Sequence, residues 1–252
     1  MARQAAIVTG AAGGIGAALC RRLAGKQIDL AIVDQDAKGL AQLADDLKGT
    51  PAKIIQVAAD VSREADVANY VARALEAFGR IDFFANNAGI EGRSALIEEL
   101  TVEDFDRVHA INVRGVFLGL RHVLPPMKKQ GFGSIVNTAS LASLWGLPKL
   151  GAYISSKHAV AGLTKVAAAE AAAFGIRVNA VLPGVINTDM MRRIDDASGD
   201  RAQARKANEA GNPMGRYGEP GEVAAVIDFL FSADASFVTS SLYTVDGGAV
   251  WQ

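Results

Sequence analysis

A tyrosine and a lysine four positions apart form the part of the sequence best suited to chemistry. Tyr153 and Lys157 share one face of a helix at this spacing, and Ser140 lies thirteen residues before the tyrosine. Free tyrosine keeps its proton up to about pH 10, and a neighbouring cation favours the phenolate, so we expect Lys157 to lower the pKa of Tyr153. Such a phenol can exchange a proton with an alcohol or carbonyl oxygen. A packed ring beside a solvated amine is the alternative interpretation.

A glycine-rich turn follows the first apolar run and opens a predicted helix. Glycines at such a turn let the backbone approach a pyrophosphate, whose charge the amides at the helix start would face. The G-x-x-x-G-x-G spacing differs from the G-x-G-x-x-G fingerprint, so ordinary strand-to-helix geometry is the alternative. The candidate cofactor residues of this turn are Gly10, Ala12, Gly13, Gly14, Ile15 and Gly16.

A single carboxylate indicates which dinucleotide would bind. Asp34 ends the second apolar run, twenty residues after Gly14, where it can accept hydrogen bonds from the adenosine ribose hydroxyls and repel a 2′-phosphate. The neutral Gln35 follows it, and Ala11 and Ala12 supply no basic side chain for an extra phosphate. The sequence therefore favours NAD over NADP. An aspartate that caps the following helix is compatible with the same role.

Small or polar residues also follow three later apolar runs. The carboxyl ends of strands in an open α/β sheet are where ligands bind, although each segment read alone is equally compatible with a simple turn. These further cofactor candidates are Asp60 and Val61, then Asn87, Ala88 and Gly89, and finally Pro183, Gly184, Ile186 and Thr188.

Short apolar runs alternate with longer helical segments, which predicts an α/β fold with a doubly wound sheet of seven mainly parallel strands and helices on both faces. No linker, charge block or repeat divides residues 1–252, so we expect one domain. The predicted strands are Ala5–Val8, Ile28–Val33, Ile54–Val57, Ile81–Ala85, Ser134–Asn137, Ile176–Leu182 and Leu242–Val245. The predicted helices are Leu19–Gly25, Gly39–Lys48, Ala65–Phe78, Val102–Lys129, Ala152–Phe174 and Glu222–Phe231.

The composition argues against several classes of function. Half of the 252 residues are apolar, and 26 basic against 27 acidic side chains leave a formal net charge of −1. No global field favours nucleic acid or an anionic membrane, so a small-molecule partner fits better. Cys20 is the only cysteine and has no Cys or His neighbours at metal-ligand spacing, so we expect neither a disulfide nor a metal site. A single cysteine suits a reducing cytoplasm, where we expect the protein, and the short apolar runs suggest neither export nor membrane insertion.

Together these motifs resemble the short-chain dehydrogenase/reductase superfamily, in its one-domain branch of about 250 residues. Thr9 to Gly16 matches T-G-x-x-x-G-x-G, Asn86 to Gly89 matches N-N-A-G, and Asn112 matches the family's catalytic asparagine beside the serine, tyrosine and lysine. The resemblance implies a Rossmann-like fold, a nicotinamide cofactor and a homotetramer built on paired long helices. Within the predicted helix Ala152–Phe174, an alanine-rich run from Ala167 to Ala173 offers either such a contact or simply high helix propensity.

The resemblance also implies a role for each catalytic residue. Tyr153 would give a proton to a carbonyl oxygen, or take one from a hydroxyl, while hydride moves to or from nicotinamide C4. Ser140 would hydrogen-bond the same oxygen, and Lys157 would favour the phenolate and hold the nicotinamide ribose. Asn112 would position water that links Lys157 to solvent. Apart from the resemblance, Gln252 could place the terminal carboxylate near a symmetry axis of a tetramer, where carboxylates and water could take up a structural Mg²⁺.

Two segments are candidates for contact with the substrate. Residues 141–152 are mostly apolar and suit a hydrophobic alcohol or ketone, although Trp145 could serve packing instead. Residues 186–212 include a polar stretch that could close over substrate as a lid, or form a surface excursion. The favoured function is an NAD-dependent secondary-alcohol dehydrogenase or ketone reductase acting on a small apolar, cyclic or diol compound. A 3-oxoacyl-carrier reductase and a non-catalytic NAD(H)-sensing regulator are the alternatives.

Overall fold

Seven strands form one sheet in a computed structural model, which describes residues 3–197 and 199–249. Gln252, the residue considered for a Mg²⁺ site, lies outside the described residues. Every pair of neighbouring strands is parallel, in the order β3-β2-β1-β4-β5-β6-β7. The strands are β1 (Ala5–Thr9), β2 (Asp29–Asp34), β3 (Ile54–Ala58), β4 (Phe83–Asn86), β5 (Gly133–Thr138), β6 (Ile176–Pro183) and β7 (Leu242–Val245).

The order of strands reverses between β1 and β4, which is where a doubly wound sheet opens a crevice for a ligand. Asn86 of β4 is in register with Asn137 of β5, and Thr138 with Val181 of β6. The polar ends of these strands therefore meet at one edge of the sheet. The predicted α/β class and the seven strands are confirmed, with all strands parallel.

Helices cover both faces of the sheet. One core joins Ile7 of β1 to side chains of α3, α5 and α6, and a second joins Val8 to α1, α2 and α9, because neighbouring strand residues point to opposite faces. The helices are α1 (Gly14–Gly25), α2 (Ala37–Asp46), α3 (Glu64–Phe78), α4 (Val102–His109), α5 (Gly115–Gln130), α6 (Gly151–Ala171), α7 (Asp189–Ala197), α8 (Arg201–Ala210) and α9 (Pro220–Phe231). No helix within the described residues is long and apolar enough to span a bilayer.

A π-helical turn interrupts what the sequence predicts as one helix. The predicted helix Val102–Lys129 is two helices, α4 and α5, joined by the turn Ala110–Arg114. Such a turn inserts one extra residue and is frequent at functional sites. Here it surrounds Asn112, whose side chain is buried and bonded to the backbone of Ile90.

The predicted lid region contains a helical hairpin, α7 and α8. Its base is tied to the main body by the amide of Asn187, which donates to Gly218 O at 2.8 Å. Asp195 of α7 is buried and accepts hydrogen bonds from Tyr217 Oη and Asn208 Nδ2. A buried carboxylate thus links α7 to α8 and to Tyr217.

Candidate active site

The glycine-rich turn is packed so tightly that side chains at three positions would collide. A Cβ at Gly16 would lie 2.1 Å from Gly10 O, within the turn itself. Gly10 has φ +65°, and a Cβ there would lie 2.9 Å from the Cα of Ala88. A Cβ at Gly14 would lie 2.9 Å from Cγ2 of Thr188, in the segment after β6. The predicted turn after β1 is therefore in contact with both the segment after β4 and the segment after β6.

The start of α1 is suited to an anion. Gly13 is the N-cap and forms no side-chain capping hydrogen bond, and the first helical turn contains no acidic residue. The amides of Gly14, Ile15 and Gly16 stand in this turn, where the helix dipole adds partial positive charge. A pyrophosphate fits this cradle.

Asp34 is fixed beside the same turn. Its Oδ2 accepts from the Ala12 amide at 3.0 Å, and its Oδ1 accepts from the Asp36 amide at 3.0 Å. The carboxylate therefore stays at the end of β2, where ribose hydroxyls can donate to its remaining lone pairs. Together with the cradle of α1, this donor set fits an adenine dinucleotide.

Thr9 is a positioning residue whose role the sequence analysis missed, although Thr9 begins the glycine motif. Its buried hydroxyl accepts from the amides of Asn87 at 2.9 Å and Ala88 at 3.1 Å. The Asn87 side chain donates to Thr9 O and Gly10 O, and its Oδ1 accepts from Thr138 Oγ1 at 3.0 Å. The ends of β1, β4 and β5 are thus locked together.

Ser140, Tyr153 and Lys157 come together as the spacing indicates. Ser140 caps a short 3₁₀ turn after β5, and its hydroxyl is near enough to the Tyr153 phenol to lower the pKa of that phenol. Lys157 Nζ is buried, donates to Thr138 O at 2.9 Å and lies 5.6 Å from the ring centroid of Tyr153. The phenol is thus accompanied by a hydroxyl and a cation at the open edge of the sheet.

The pKa of Tyr153 moves in the direction opposite to the one expected from the sequence. Burial is the largest cause and raises this pKa; the hydrogen bond of Ser140 lowers it, and the Glu91 carboxylate raises it. Burial also lowers the pKa of Lys157 to about 8. The ammonium of Lys157 donates to a carbonyl, and the pKa of Tyr153 follows from its burial, Ser140 and Glu91.

Asn112 is fully buried in the π-helical turn, and its amide is held on three sides. Its Oδ1 accepts from Ile90 N at 2.9 Å, while its Nδ2 donates to Ile90 O at 2.9 Å and to Ser156 Oγ at 3.0 Å. Asn112 therefore connects the segment after β4 to α6. Gly89 lies between them, since a Cβ there would be 3.2 Å from Asn112 Oδ1 and 3.4 Å from Lys157 Nζ.

The remaining predicted cofactor residues differ in their surroundings. Asp60 Oδ1 accepts from Ser62 N and Oγ at 2.9 and 2.7 Å, and Val61 packs where a Cβ at Gly115 would stand. These contacts of Asp60 and Val61 shape the turn after β3. That the two residues also contact the cofactor stays a prediction. Pro183 ends β6, the Gly184 amide donates to Val245 O at 3.0 Å, and Ile186 is buried.

An ion pair that the sequence did not reveal lies beside the reacting residues. Arg193 of α7 donates through Nε to Glu91 Oε1 at 2.9 Å and through Nη2 to Oε2 at 3.3 Å. In the segment between Ser140 and Tyr153, Leu144 and Leu147 are exposed and Trp145 is half-buried. This segment therefore offers apolar side chains to a ligand.

Sequence comparison identifies relatives along almost the whole chain. A family model described as "Enoyl-(Acyl carrier protein) reductase" matches residues 10–250. Levodione reductase of Leifsonia aquatica is 45% identical over 251 residues, which cover 96% of this chain and 92% of that protein. Cyclohexanol dehydrogenase of Acinetobacter sp. (strain SE19) is 37% identical over 244 residues, which cover 97% of this chain and 94% of that protein.

Solved structures share the fold closely. The crystal structure of levodione reductase matches with a TM-score of 0.95 and 42% identity, covering 98% of this chain and 97% of that chain. NAD⁺-bound xylitol dehydrogenase matches with a TM-score of 0.94 and 34% identity, covering 97% and 98%. With its glycine cradle and its Ser140, Tyr153 and Lys157 cluster, the chain belongs to the short-chain dehydrogenase/reductase family of oxidoreductases.

Proposed function

We propose that the protein is an NAD(H)-dependent oxidoreductase that interconverts a secondary alcohol and a ketone. The observation that carries this proposal is the buried Lys157 ammonium, 5.6 Å from the ring centroid of Tyr153, beside Ser140 and at the edge that also holds the glycine cradle. Its substrate is a small apolar compound, cyclic or a diol, because the segment between Ser140 and Tyr153 exposes the apolar side chains of Leu144 and Leu147. Relatives named levodione reductase and cyclohexanol dehydrogenase support a cyclic substrate.

Each residue has a separate task in this proposal. The nicotinamide supplies or accepts the hydride when it is bound. Tyr153 gives its proton to the carbonyl oxygen in reduction and takes the hydroxyl proton in oxidation, while Ser140 holds the same oxygen by a hydrogen bond. Lys157 supplies positive charge beside the phenol and would donate a hydrogen bond to the nicotinamide ribose. Gly14, Ile15 and Gly16 hold the pyrophosphate through their amides.

Reduction of a 3-oxoacyl carrier conjugate is the second candidate. Relatives include a 3-oxoacyl-[acyl-carrier-protein] reductase from Thermotoga maritima, 38% identical over 244 residues. One related polyketide ketoreductase structure contains NADPH, whereas the fixed carboxylate of Asp34 disfavours a 2′-phosphate in this chain. A purely NAD(H)-sensing role is disfavoured by the complete set of Ser140, Tyr153 and Lys157.

We also propose a cytoplasmic homotetramer in which α6 packs against its equivalent. The buried members of the alanine-rich run, Ala167, Ala168 and Ala171, pack in the chain's own core, so they do not form the contact surface. The exposed face of α6 carries Gly162 and Val166 instead, and small side chains there permit close helix packing.

The first prediction tests the reaction itself. Purified protein with NAD(H) should oxidise cyclic secondary alcohols or reduce the matching ketones, followed by absorbance of the reduced nicotinamide. Tyr153→Phe should lower kcat by about 10²–10⁴-fold, because it removes only the exchangeable proton. NADH binding, measured by fluorescence, should persist in the variant. Full turnover in folded Tyr153→Phe protein would exclude the acid–base role.

The second prediction concerns cofactor choice. The wild-type protein should prefer NAD over NADP, and Asp34→Asn should reduce this preference by about tenfold to a hundredfold, since it removes the charge that repels a 2′-phosphate. The ratio of kcat/KM for the two cofactors measures the effect. Asp36→Asn is the matched control, because Asp36 caps α2 and donates its amide to Asp34. An unchanged ratio in Asp34→Asn would contradict the assignment.

The third prediction follows from the buried charge of Lys157. Its pKa is about 8 in the folded protein against 10.5 as a free side chain, so the charged form is destabilised by burial at pH 7. Lys157→Met should raise the free energy of unfolding at pH 7 by about 1–3 kcal/mol. Between pH 8 and pH 10.5 the unfolded wild-type chain holds more protons than the folded one, so the wild-type free energy of unfolding should rise with pH. The advantage of Lys157→Met over wild type should therefore shrink.

Urea unfolding at pH 7 and at about pH 10 measures this difference. Lys165→Met is the control, since Lys165 lies exposed on the same helix and should change stability little at either pH. A Lys157→Met variant that is less stable at pH 7, or a pH-independent difference, would show that the ammonium is not strained by burial.

The α7–α8 hairpin is proposed as the substrate lid, with the pair of Arg193 and Glu91 as its latch. Arg193 is the residue of α7 that reaches the segment after β4. Exposed ion pairs contribute at most about 1 kcal/mol, so Arg193→Ala should raise the substrate KM by about two- to fivefold. It should also speed hydrogen exchange in α7 when substrate is bound.

Arg192→Ala is the matched control for the lid. Arg192 pairs with Asp189 on its own helix and contacts Asn187, so it does not tie α7 to β4. In Arg192→Ala, the substrate KM and the hydrogen exchange of α7 should stay near the wild-type values. Equal effects of both substitutions would indicate a general loss of helix stability instead of a latch.

A further inference from the structure

Tyr217 is buried and contacts the two helices of the α7–α8 hairpin, although it belongs to neither. Its hydroxyl lies 3.1 and 3.0 Å from the two carboxylate oxygens of Asp195 in α7. Asn208 Nδ2 in α8 donates to the same hydroxyl at 2.9 Å. The guanidinium of Arg205, also in α8, lies 4.5 Å from the centroid of the phenol ring. One side chain from outside the hairpin therefore joins both of its helices.

The donors and acceptors of this contact match one another. The phenol has one proton, which it donates to the carboxylate of Asp195, and its oxygen accepts from Asn208. The Asn208 amide has two protons, and its Nδ2 also donates to Asp195 Oδ1 at 3.2 Å. Hydrogen bonds to an ionised carboxylate are stronger than those between neutral groups. Loss of the hydroxyl would therefore take a strong donor from a buried carboxylate.

The segment that carries Tyr217 is itself fixed to the body of the protein at both ends. The amide of Gly218, the next residue, donates to Val185 O at 3.0 Å in the segment after β6. Where the segment begins, Asn212 Nδ2 donates to Asp246 O at 2.8 Å, just after β7. Tyr217 is therefore a fixed point against which α7 and α8 are held.

This buried contact and the exposed ion pair of the lid act on the same helix. Asp195 lies two positions after Arg193 on α7, so its bond to Tyr217 also sets where Arg193 stands relative to Glu91. An exposed ion pair contributes little to holding two segments together, whereas a buried hydrogen bond to a charged group contributes more. The contact with Tyr217 therefore has the larger influence on the position of α7.

We propose that Tyr217 is a positioning residue for substrate binding: it holds α7 and α8 in the arrangement that closes over the substrate. This inference rests on the proposed function, in which the hairpin is the lid. Because the hairpin is already held before the substrate arrives, binding does not have to supply the free energy that ordering it would cost. Without the hydroxyl of Tyr217, the substrate must supply that free energy and binds more weakly.

A second buried tyrosine provides a matched control. Tyr70 of α3 is fully buried in the core beside the sheet. Within the part of the chain that the structure describes, its hydroxyl has no hydrogen-bond partner. Tyr70→Phe therefore removes the same atom from a buried phenol without touching the hairpin.

The first experiment compares Tyr217→Phe and Tyr70→Phe with wild type, using NAD(H) and the best alcohol–ketone pair of the activity panel. Tyr217→Phe keeps the ring under Arg205 and loses only the hydroxyl. It should raise the substrate KM about three- to tenfold with kcat within about twofold, because it weakens binding and leaves the reacting groups in place. Tyr70→Phe should leave both constants near the wild-type values.

A second measurement needs neither cofactor nor turnover. Hydrogen exchange of the backbone amides in α7 and α8 of the free protein should become about tenfold faster in Tyr217→Phe, while α6 and α9 exchange as in wild type. Asn208→Ala serves if Tyr217→Phe folds poorly, since it removes the bonds from α8 and keeps the phenol. It should raise the substrate KM about two- to fivefold and speed the exchange of α8.

A double substitution tests whether Tyr217 and Arg193 act on one lid. In the wild-type background Arg193→Ala should raise the substrate KM about two- to fivefold. In the Tyr217→Phe background the same change should raise it less than about 1.5-fold, because α7 is already displaced. In the Tyr70→Phe background it should keep its full effect.

The outcomes separate this inference from the proposed function. Wild-type protein without turnover on any alcohol or ketone would overturn the proposed function, and the role in substrate binding with it. Turnover in wild type with a wild-type substrate KM in Tyr217→Phe, or in Asn208→Ala where that variant replaces it, would overturn the inference alone. Faster exchange of the hairpin would not rescue it, because the contact would then only stabilise the two helices. Fully additive effects of Tyr217→Phe and Arg193→Ala would also contradict a shared action on the lid.

Discussion

The ammonium group of Lys157 is buried at the centre of the site, and its place depends on one hydrogen bond to the carbonyl of Thr138. A buried charge is stable only where surrounding groups hold it, and these groups also set the rest of the site. The hydroxyl of Thr138 donates to Asn87, whose amide in turn donates to Gly10 O. Helix α6 and the glycine-rich turn after β1 are therefore parts of one hydrogen-bond network.

The parallel sheet makes this network possible, and the sequence was sufficient to predict the sheet. The predicted strand Ile28–Val33 is observed as Asp29–Asp34, because buried parallel strands are continuous apolar runs that end where polar residues begin. The contacts of Ser140, Tyr153 and Lys157 were predictable for a related reason. Their spacing places them on the end of one strand and on one face of the helix that follows it.

Contacts between distant segments were not predictable. Nothing in the composition of residues 102–129 indicates a π-helical turn, since the turn is held by a bond from Asn112 to Ile90, 22 residues away. Arg193 and Glu91 are separated by 102 residues, and their charges resemble ordinary surface charges in the sequence. The raised pKa of Tyr153 has the same origin, because burial is a property of the packed chain and not of the spacing to Lys157.

Burial favours the neutral forms of both Tyr153 and Lys157. It therefore sets their protonation states in the protein before a ligand binds. It raises the pKa of Tyr153 and lowers that of Lys157 to about 8, so near neutral pH the phenol keeps its proton and the lysine is still charged. In the proposed reaction this is the acid form that would donate to a carbonyl oxygen, whereas oxidation of an alcohol would first require the phenol to lose its proton. Glu91 opposes that loss, and the same carboxylate binds Arg193 of α7. The position of the hairpin and the acidity of the phenol are therefore coupled through one side chain.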